Sequence, residues 1–476
     1  IQLRSIELES SITIANFATG DSSVFQRTSA GTSTKSKVLS GTYTGSAPSA
    51  MDCQILIVGG GTALGTTPMT GLTAGGGTWS AICPGIPQGA WYNAYAQDHD
   101  APSANATQTQ QFCVGVRIFF AGSSNTRKMF DDVSTPPVAN SYIRKWVPGG
   151  SWSTPDGDGG RYLLNTVQAA LGGTVCVGAI VITSDGSPLS QWVQAQNGYW
   201  DATVVPGMPD DKDAEFMNSF VGGISVDPTS PAPSTYYPGD YAAILTQYYA
   251  LTGRNAGTGY FGGVVSGFGG GTTQAASAQI HEYQQLAGIS MGANVFIAAN
   301  VMDLATVDNL HFTAAGYKSQ GLRIAQAILN KLGLSSRGSA GPALLKFIRS
   351  GATLSFTTSQ PTGTGLAFSI SPGSAPQGFY ISTSQACGPW DTSPLTISGG
   401  AIVDATHFTL TLSADPGAAV YVCYMYGTVA NQNVSFNALF DTPAVANDGI
   451  GNPTLMTGSA PLAESPVLVG PGHRPH

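Results

Sequence analysis

Between residues 111 and 335, apolar runs of strand length alternate with stretches of helical period, and this alternation restricts the fold more than any other feature. Cys113-Val-Gly-Val-Arg-Ile-Phe-Phe-Ala121 and Val175-Cys-Val-Gly-Ala-Ile-Val-Ile-Thr183 are almost continuously apolar, as strands buried on both faces must be. Tyr260-Phe-Gly-Gly-Val-Val265 and Val295-Phe-Ile-Ala-Ala299 read the same way. Helices are expected from Arg161 to Leu171, Asp240 to Leu251, about Ala276 to Leu286, and after Thr313. In the last of these Thr313 is a capping residue, and Tyr317, Leu322, Ile324, Ala325, Ile328 and Leu332 recur at helical intervals. The pattern implies an α/β unit with a mostly parallel sheet and helices on both faces.

The flanks differ. Residues 1–110 hold short runs such as Ser11-Ile-Thr-Ile-Ala15, Val38-Leu-Ser-Gly-Thr-Tyr43 and Cys53-Gln-Ile-Leu-Ile-Val58 between Gly/Ser/Thr clusters, which fits a small β-sandwich. Ser335–Pro342 has linker composition. Beyond it, His407-Phe-Thr-Leu-Thr-Leu-Ser413 and Val420-Tyr-Val-Cys-Tyr424 alternate every second residue, so 336–465 is expected to be a second β-sandwich. Residues 466–476 form a Pro/Gly-rich tail.

A chain of 476 residues exceeds a single core, in keeping with two to three domains. Charged residues make up 10% of it, well under the roughly 25% of an ordinary globular protein. With 61 Gly and 29 Pro, this is the composition of a β-rich extracellular or virion-surface protein. A net charge of -8 argues against nucleic acid or an anionic membrane as partner, and no run approaches the ~18 apolar residues of a membrane span. The chain opens at Ile1 rather than Met, so a missing or processed start is expected, and no signal peptide is visible. The six cysteines are scattered without C-x-x-C or nearby histidines, which excludes a zinc site and does not suggest a disulfide framework. Cys113 and Cys176, in apolar runs, are expected as buried thiols, while one bridge within each β region stays open.

Chemistry concentrates in Asp308-Asn-Leu-His311-Phe-Thr-Ala-Ala-Gly316-Tyr317. An imidazole that accepts a proton from a serine needs a carboxylate to fix its tautomer and stabilise its charged form. A separation of three residues at the mouth of a helix supplies both groups from one turn. The same spacing recurs at Asp404 and His407, but there it runs into an alternating strand and is expected to be structural. Two serines compete as nucleophile. Ser22, in Gly20-Asp-Ser22, is followed by a Ser/Thr/Gly-rich stretch and reads as a turn. Ser124, in Gly122-Ser-Ser124-Asn125, directly follows the apolar strand, at the sheet edge where reactive groups of α/β folds collect. Gly186 in Ser184-Asp-Gly186 ends the second apolar strand, where its backbone N–H can serve a developing oxyanion beside that of Ser124. Asp156-Gly-Asp-Gly-Gly160 hints at a calcium loop but lacks its later ligands, and a Gly-rich turn before the helix at Arg161 is expected instead. Trp192, Tyr236 and Tyr237 suit sugar stacking but are read as packing residues.

In this order the blocks resemble the SGNH hydrolases, specifically carbohydrate esterases similar to sialate O-acetylesterases of bacterial and phage type. Gly122–Asn125 is similar to their G-Q-S-N block except at the second position. Asp185–Trp192 matches in part the block with G-G-T, and 308–317 closely matches D-x-x-H-[FL]-T-x-x-G-Y, continued by Gly321 and Arg323. Val24–Arg27 with Ser40–Gly45, and Val420–Gly427 with Ala438–Asp441, resemble the β-domains that flank such esterases. The resemblance implies a three-layer α/β/α domain at 111–335 between two β-sandwiches. It also implies a serine esterase that deacetylates a surface or capsular polysaccharide through an acetyl-enzyme: Ser124 as nucleophile, His311 as base, Asp308 to orient it, and the N–H groups of Ser124 and Gly186 for the oxyanion. No cofactor or metal is implied, and other virion or surface proteins or a second copy of the chain are admissible partners. One departure stands out: 221–233, where the family places an oxyanion-donating side chain, contains no Asn or Gln. The rival expectation is therefore a weak or inactive virion or cell-surface protein that keeps the fold for glycan binding or assembly.

Overall fold

The computed structural model describes residues 10–17, 23–28, 34–134, 140–186 and 189–220, apart from 194, 196, 197 and 210. Further along it describes 233–255, 260–265, 294–336 (apart from 302, 303, 305, 309 and 310), 341–359, 365–368, 375–424 (apart from 389), 439–441 and 462–463. The expected helix at 276–286, Ser22 and the tail 466–476 lie outside these residues.

The molecule is sheet-rich, with mixed sheets and few helices among the described residues. Its central strands are β1 (Ser23–Gln26), β2 (Phe112–Gly122), β3 (Ile143–Trp146), β4 (Cys176–Thr183), β5 (Phe216–Phe220), β6 (Tyr260–Val265) and β7 (Val295–Asn300). Six of them run parallel in the order β3-β4-β2-β5-β6-β7. The apolar runs explain the placement. All eleven residues of β2 are buried, because both of its faces are covered. Val116, Ile118 and Phe120 join one hydrophobic cluster with α1 (Ser124–Asp131), α2 (Asp158–Leu171) and a C-terminal helix. Cys113, Phe119 and Ala121 join another with Trp146, Trp192, Trp200 and the helix α3 (Pro233–Thr252) through Tyr241, Ile244 and Tyr248.

The C-terminal helix is α4 (Ala314–Lys331), and the Thr313 hydroxyl caps it by accepting the Gly316 N–H at 3.0 Å. Two glycines let α2 and α4 approach at backbone contact. A Cβ on Gly321 would stand 2.1 Å from the Gly159 carbonyl oxygen, and one on Gly159 would meet the Tyr317 carbonyl at 2.5 Å. The Gly-rich stretch before Arg161 is thus not a turn. The helix begins at Asp158, whose carboxylate accepts from Arg161 at 2.6 Å and from the Ser134 N–H at 2.9 Å. The glycines are there for close packing.

The flanking β structure meets this sheet directly. Met51–Ile57, Thr62–Pro68, Tyr92–Asp98 and Asn105–Thr107 extend it through the antiparallel pairing of Tyr92 with Phe112. A four-stranded sheet of Ser11–Ile12, Thr34–Thr44, Thr78–Pro87 and Thr70–Gly75 faces them across a shared core. β1 leaves that region and pairs in parallel with the first half of β2. Arg27, just after β1, donates twice to Glu215 (2.9 and 3.0 Å), and both side chains are buried. This pair sits at the edge of the sheet opposite the ends of β2 and β4. On the C-terminal side, Phe347, Phe356, Phe379, Phe408 and Tyr424 build a core between two further antiparallel sheets, which Ile297 of β7 joins.

The cysteines correct the sequence reading. Cys113 and Cys176 are not thiols but form a disulfide, and Cys53–Cys83 and Cys387–Cys423 pair as well, so all six are bridged. Cys176 is level with Gly115 in the neighbouring parallel strand, two residues beyond Cys113 on the same face. The bridge therefore runs diagonally between adjacent strands, with Cα atoms 6.3 Å apart.

Candidate active site

Two strands and one turn bring the predicted residues together at the carboxyl edge of the sheet. Gly122 closes β2 level with Thr183 of β4, and the ladder continues one step further as the Ser184 N–H donates to the Gly122 carbonyl at 2.9 Å. Past Gly122 the chain turns at Ser123, the extended N-cap of α1, and Ser124 is the first helical residue. Its N–H lies in the helix's first turn, where no carbonyl of the helix can accept it. The histidine comes from the far side of the sheet. After β7 a tight turn is closed by a bridge between Thr306 and Phe312 and by the Val307 N–H donating to the His311 carbonyl at 2.8 Å. Asp308 lies inside this turn, and its Oδ1 accepts the His311 N–H at 2.6 Å.

The side chains then form one chain of hydrogen bonds. Asp308 Oδ2 is 2.6 Å from His311 Nδ1, and His311 Nε2 is 3.0 Å from the Ser124 hydroxyl, across 187 residues of sequence. The serine is buried, the imidazole is 17% exposed and the carboxylate 51% exposed, so the array opens to solvent at its acid end. Nδ1 facing the carboxylate and Nε2 facing the hydroxyl is the orientation in which the ring can take the serine's proton.

Two contacts around this array are invisible in the motifs. The Tyr317 hydroxyl, fully buried, donates to Asn125 Oδ1 at 2.7 Å and so joins the first turn of α4 to the residue after Ser124. Burial pushes this phenol far above its ordinary value, which keeps it a donor at any working pH. Arg127, one turn beyond Ser124, donates to both Asp185 oxygens, Nε at 3.2 Å and Nη2 at 2.7 Å. The hydrogen bond to Asp185 holds the guanidinium above its ordinary range. Asp185 directly precedes Gly186, an exposed residue with φ of +67°, in the turn that leaves β4. Helical register gives i+3 neighbours of Ser124, but the partner 58 residues away follows only from strand adjacency.

Other sequence candidates fall elsewhere. His407 repeats the local geometry, with Nδ1 2.9 Å from both Asp404 oxygens, but it starts the strand His407–Leu412 and bonds no serine among the described residues. Trp192 is fully buried, edge-on to Tyr199. The side chains of Tyr236 and Tyr237, and the segment 221–233 up to Pro233, lie outside the described residues. Among the described residues no group of three or more His, Cys, Asp or Glu is placed to hold a metal ion, and no helix is long and apolar enough to cross a membrane.

No family model and no curated protein matches the chain. Solved structures do. A carbohydrate acetylesterase from Xanthomonas citri superposes with a TM-score of 0.59 at 17% identity, covering 92% of this chain and 97% of its own. A protein from Arabidopsis thaliana covers 46% of the chain and 99% of its own at 17% identity and a TM-score of 0.38. A lipase from a goat rumen metagenome covers 44% and 97% at 12% identity and a TM-score of 0.29. The first of these shows a fold shared over 92% of the chain.

Proposed function

We propose that the chain is a serine esterase of the SGNH type that removes O-acetyl groups from a surface or capsular polysaccharide. The observation that carries this reading is the Asp308–His311–Ser124 hydrogen-bond chain of 2.6 and 3.0 Å at the carboxyl edge of a parallel sheet. Ser124 attacks the acetyl carbonyl while its proton passes to His311 Nε2. The N–H groups of Ser124 and Gly186 hold the tetrahedral oxyanion. As that intermediate collapses, His311 returns the proton to the departing sugar oxygen and leaves acetyl-Ser124. Water then attacks the acetyl group with His311 again as base, the bond to Ser124 Oγ breaks as His311 returns the proton to that oxygen, and acetate leaves. Asp308 fixes the ring and balances its charge throughout.

The three-layer α/β/α arrangement at 111–335, between β-sandwich domains at 1–110 and 336–465, belongs to this proposal. It is supported by helices on both faces of β2 and by a fold shared with an acetylesterase of Xanthomonas citri. An extracellular or virion-surface location is supported by three disulfides, which persist in oxidising surroundings. The competing reading, a fold kept for glycan binding or assembly, draws on the absence of Asn and Gln from 221–233.

Acetate release from O-acetylated polysaccharides and from p-nitrophenyl acetate, by the parent and by Ser124→Ala, tests the proposal. Release by the parent that vanishes in Ser124→Ala is expected. Equal release from both refutes Ser124 as nucleophile and returns attention to Ser22. No release from a folded parent favours the binding reading.

A further inference from the structure

Gly186 is exposed in the turn that leaves β4. On the side where a side chain would stand, no atom of the described residues beyond its chain neighbours comes within 4 Å, and its φ of +67° belongs to a turn only glycine adopts freely. Several contacts among the described residues tie the turn. The Ser184 N–H donates to the Gly122 carbonyl, Gln191 Nε2 donates to the Ser184 hydroxyl at 3.3 Å, and Arg127 grips Asp185 through two parallel hydrogen bonds. The first two hold Ser184, two residues before Gly186. Among the described residues, the Arg127–Asp185 contact holds Asp185, whose carbonyl carbon is bonded to the Gly186 nitrogen, and it is anchored on the same helix as Ser124.

The pair is poorly suited to stabilising the fold. Its side chains are 46% and 52% exposed, and ion pairs open to water and salt add little to stability. What two parallel N–H···O bonds provide is a fixed angle and distance between two planar groups. One end moves with α1 and therefore with Ser124. The other moves with the peptide bond between Asp185 and Gly186.

We propose that Arg127 and Asp185 form a positioning clasp that sets the Gly186 N–H against Ser124, so that both oxyanion donors keep one geometry as substrate enters and leaves. This rests on the esterase reading above and deepens it: Arg127 is a positioning residue, not a binder of substrate charge. A donor displaced by about 1 Å can cost on the order of 100-fold in rate. Because the oxyanion exists only in the transition state, the loss falls on kcat more than on KM.

The test uses p-nitrophenyl acetate, which carries neither sugar nor charge for Arg127 to contact. Initial rates are compared for the full-length parent, Arg127→Ala, Asp185→Ala and the double variant, with melting temperatures to confirm that each is folded. Each single change is expected to lower kcat by about ten- to 100-fold with KM nearly unchanged, and the double variant to lose no more than either single, since all three remove one contact. Raising ionic strength should slow the parent and leave Asp185→Ala unaffected. Four results overturn the clasp: single variants at the parental rate, losses that multiply in the double variant, an Arg127→Ala defect confined to KM, or equal salt response in parent and Asp185→Ala. A folded parent without turnover overturns the esterase reading and the clasp with it, an outcome distinct from the other four.

Discussion

Replacing Asp308 by Asn separates the geometry of the candidate triad from its charge. The carboxylate does two things: Oδ1 accepts the His311 N–H at 2.6 Å, and Oδ2 faces His311 Nδ1 at 2.6 Å. An Asn oxygen can keep the first contact, so the turn survives and stability should change little. The second contact loses its charge. A hydrogen bond to a charged group contributes about 1.5–3 kcal/mol, which at about 1.4 kcal/mol per decade is roughly ten- to 150-fold in rate. A buried triad carboxylate costs more, about 10⁴ in turnover, but Asp308 is 51% exposed and solvent already screens it. A loss of ten- to 150-fold in kcat on p-nitrophenyl acetate is therefore expected from Asp308→Asn, with a melting temperature within a few degrees of the parent. The chain supplies its own control. Asp404 and His407 share the separation of three residues and the same contact, and the Val403 N–H donates to the His407 carbonyl at 2.9 Å as Val307 does to His311. Asp404→Asn should leave the rate untouched. Full activity in Asp308→Asn, or an equal loss in Asp404→Asn, would refute the reasoning.

Two other perturbations concern the frame that holds the site. The Cys113–Cys176 bridge closes 63 residues, for which the chain-entropy view of the unfolded state gives about 4 kcal/mol of stabilisation. The Cys113→Ala/Cys176→Ala variant should therefore unfold at distinctly lower denaturant than the parent, and equal midpoints would show that the bridge does not form or does not constrain the chain. Burial pushes the Tyr92 hydroxyl up to about 12 and raises those of Tyr248 and Tyr317 as well. A phenol raised in the folded state contributes stability that is complete below its unfolded value near 10 and is lost as pH climbs toward 12. Unfolding followed from pH 8 to 12.5 should show an alkaline transition that moves to higher pH in Tyr92→Phe, and an unmoved transition would count against a buried neutral hydroxyl there.

The parallel sheet was legible because buried strands must be apolar throughout. β2, β4 and β7 were readable for that reason, and the cap at Thr313 for the rule that a helix needs an acceptor for its first donors. What the sequence withheld depends on which strands become neighbours. Cys113 and Cys176 read as thiols because their pairing requires β2 and β4 side by side in a particular register. β1 carries too few residues to announce that it leaves the N-terminal β region for the central sheet. The glycines at 157, 159 and 160 read as a turn, whereas 159 is needed for the close approach of α4, and 157 and 160 for the close packing of Phe130 from α1. The contact between Arg127 and Asp185 was out of reach for the same reason.

The two D-x-x-H turns show how far local sequence can go toward a site. Each folds its carboxylate onto its own imidazole within hydrogen-bonding distance, so that pair follows from a short turn and carries no functional information by itself. The difference lies in what faces Nε2. At His311 a serine arrives from the end of a strand 187 residues earlier, placed by the parallel pairing of β2 with its neighbours and fixed through Tyr317 and Asn125 to the helix that follows the histidine. At His407 the chain enters an antiparallel strand, whose partners are Thr353–Thr358 and Ile397–Ile402. A catalytic assignment from such a turn therefore rests on the sheet edge to which the fold delivers it, and a D-x-x-H match that opens an antiparallel strand should be discounted even when its hydrogen bond is good.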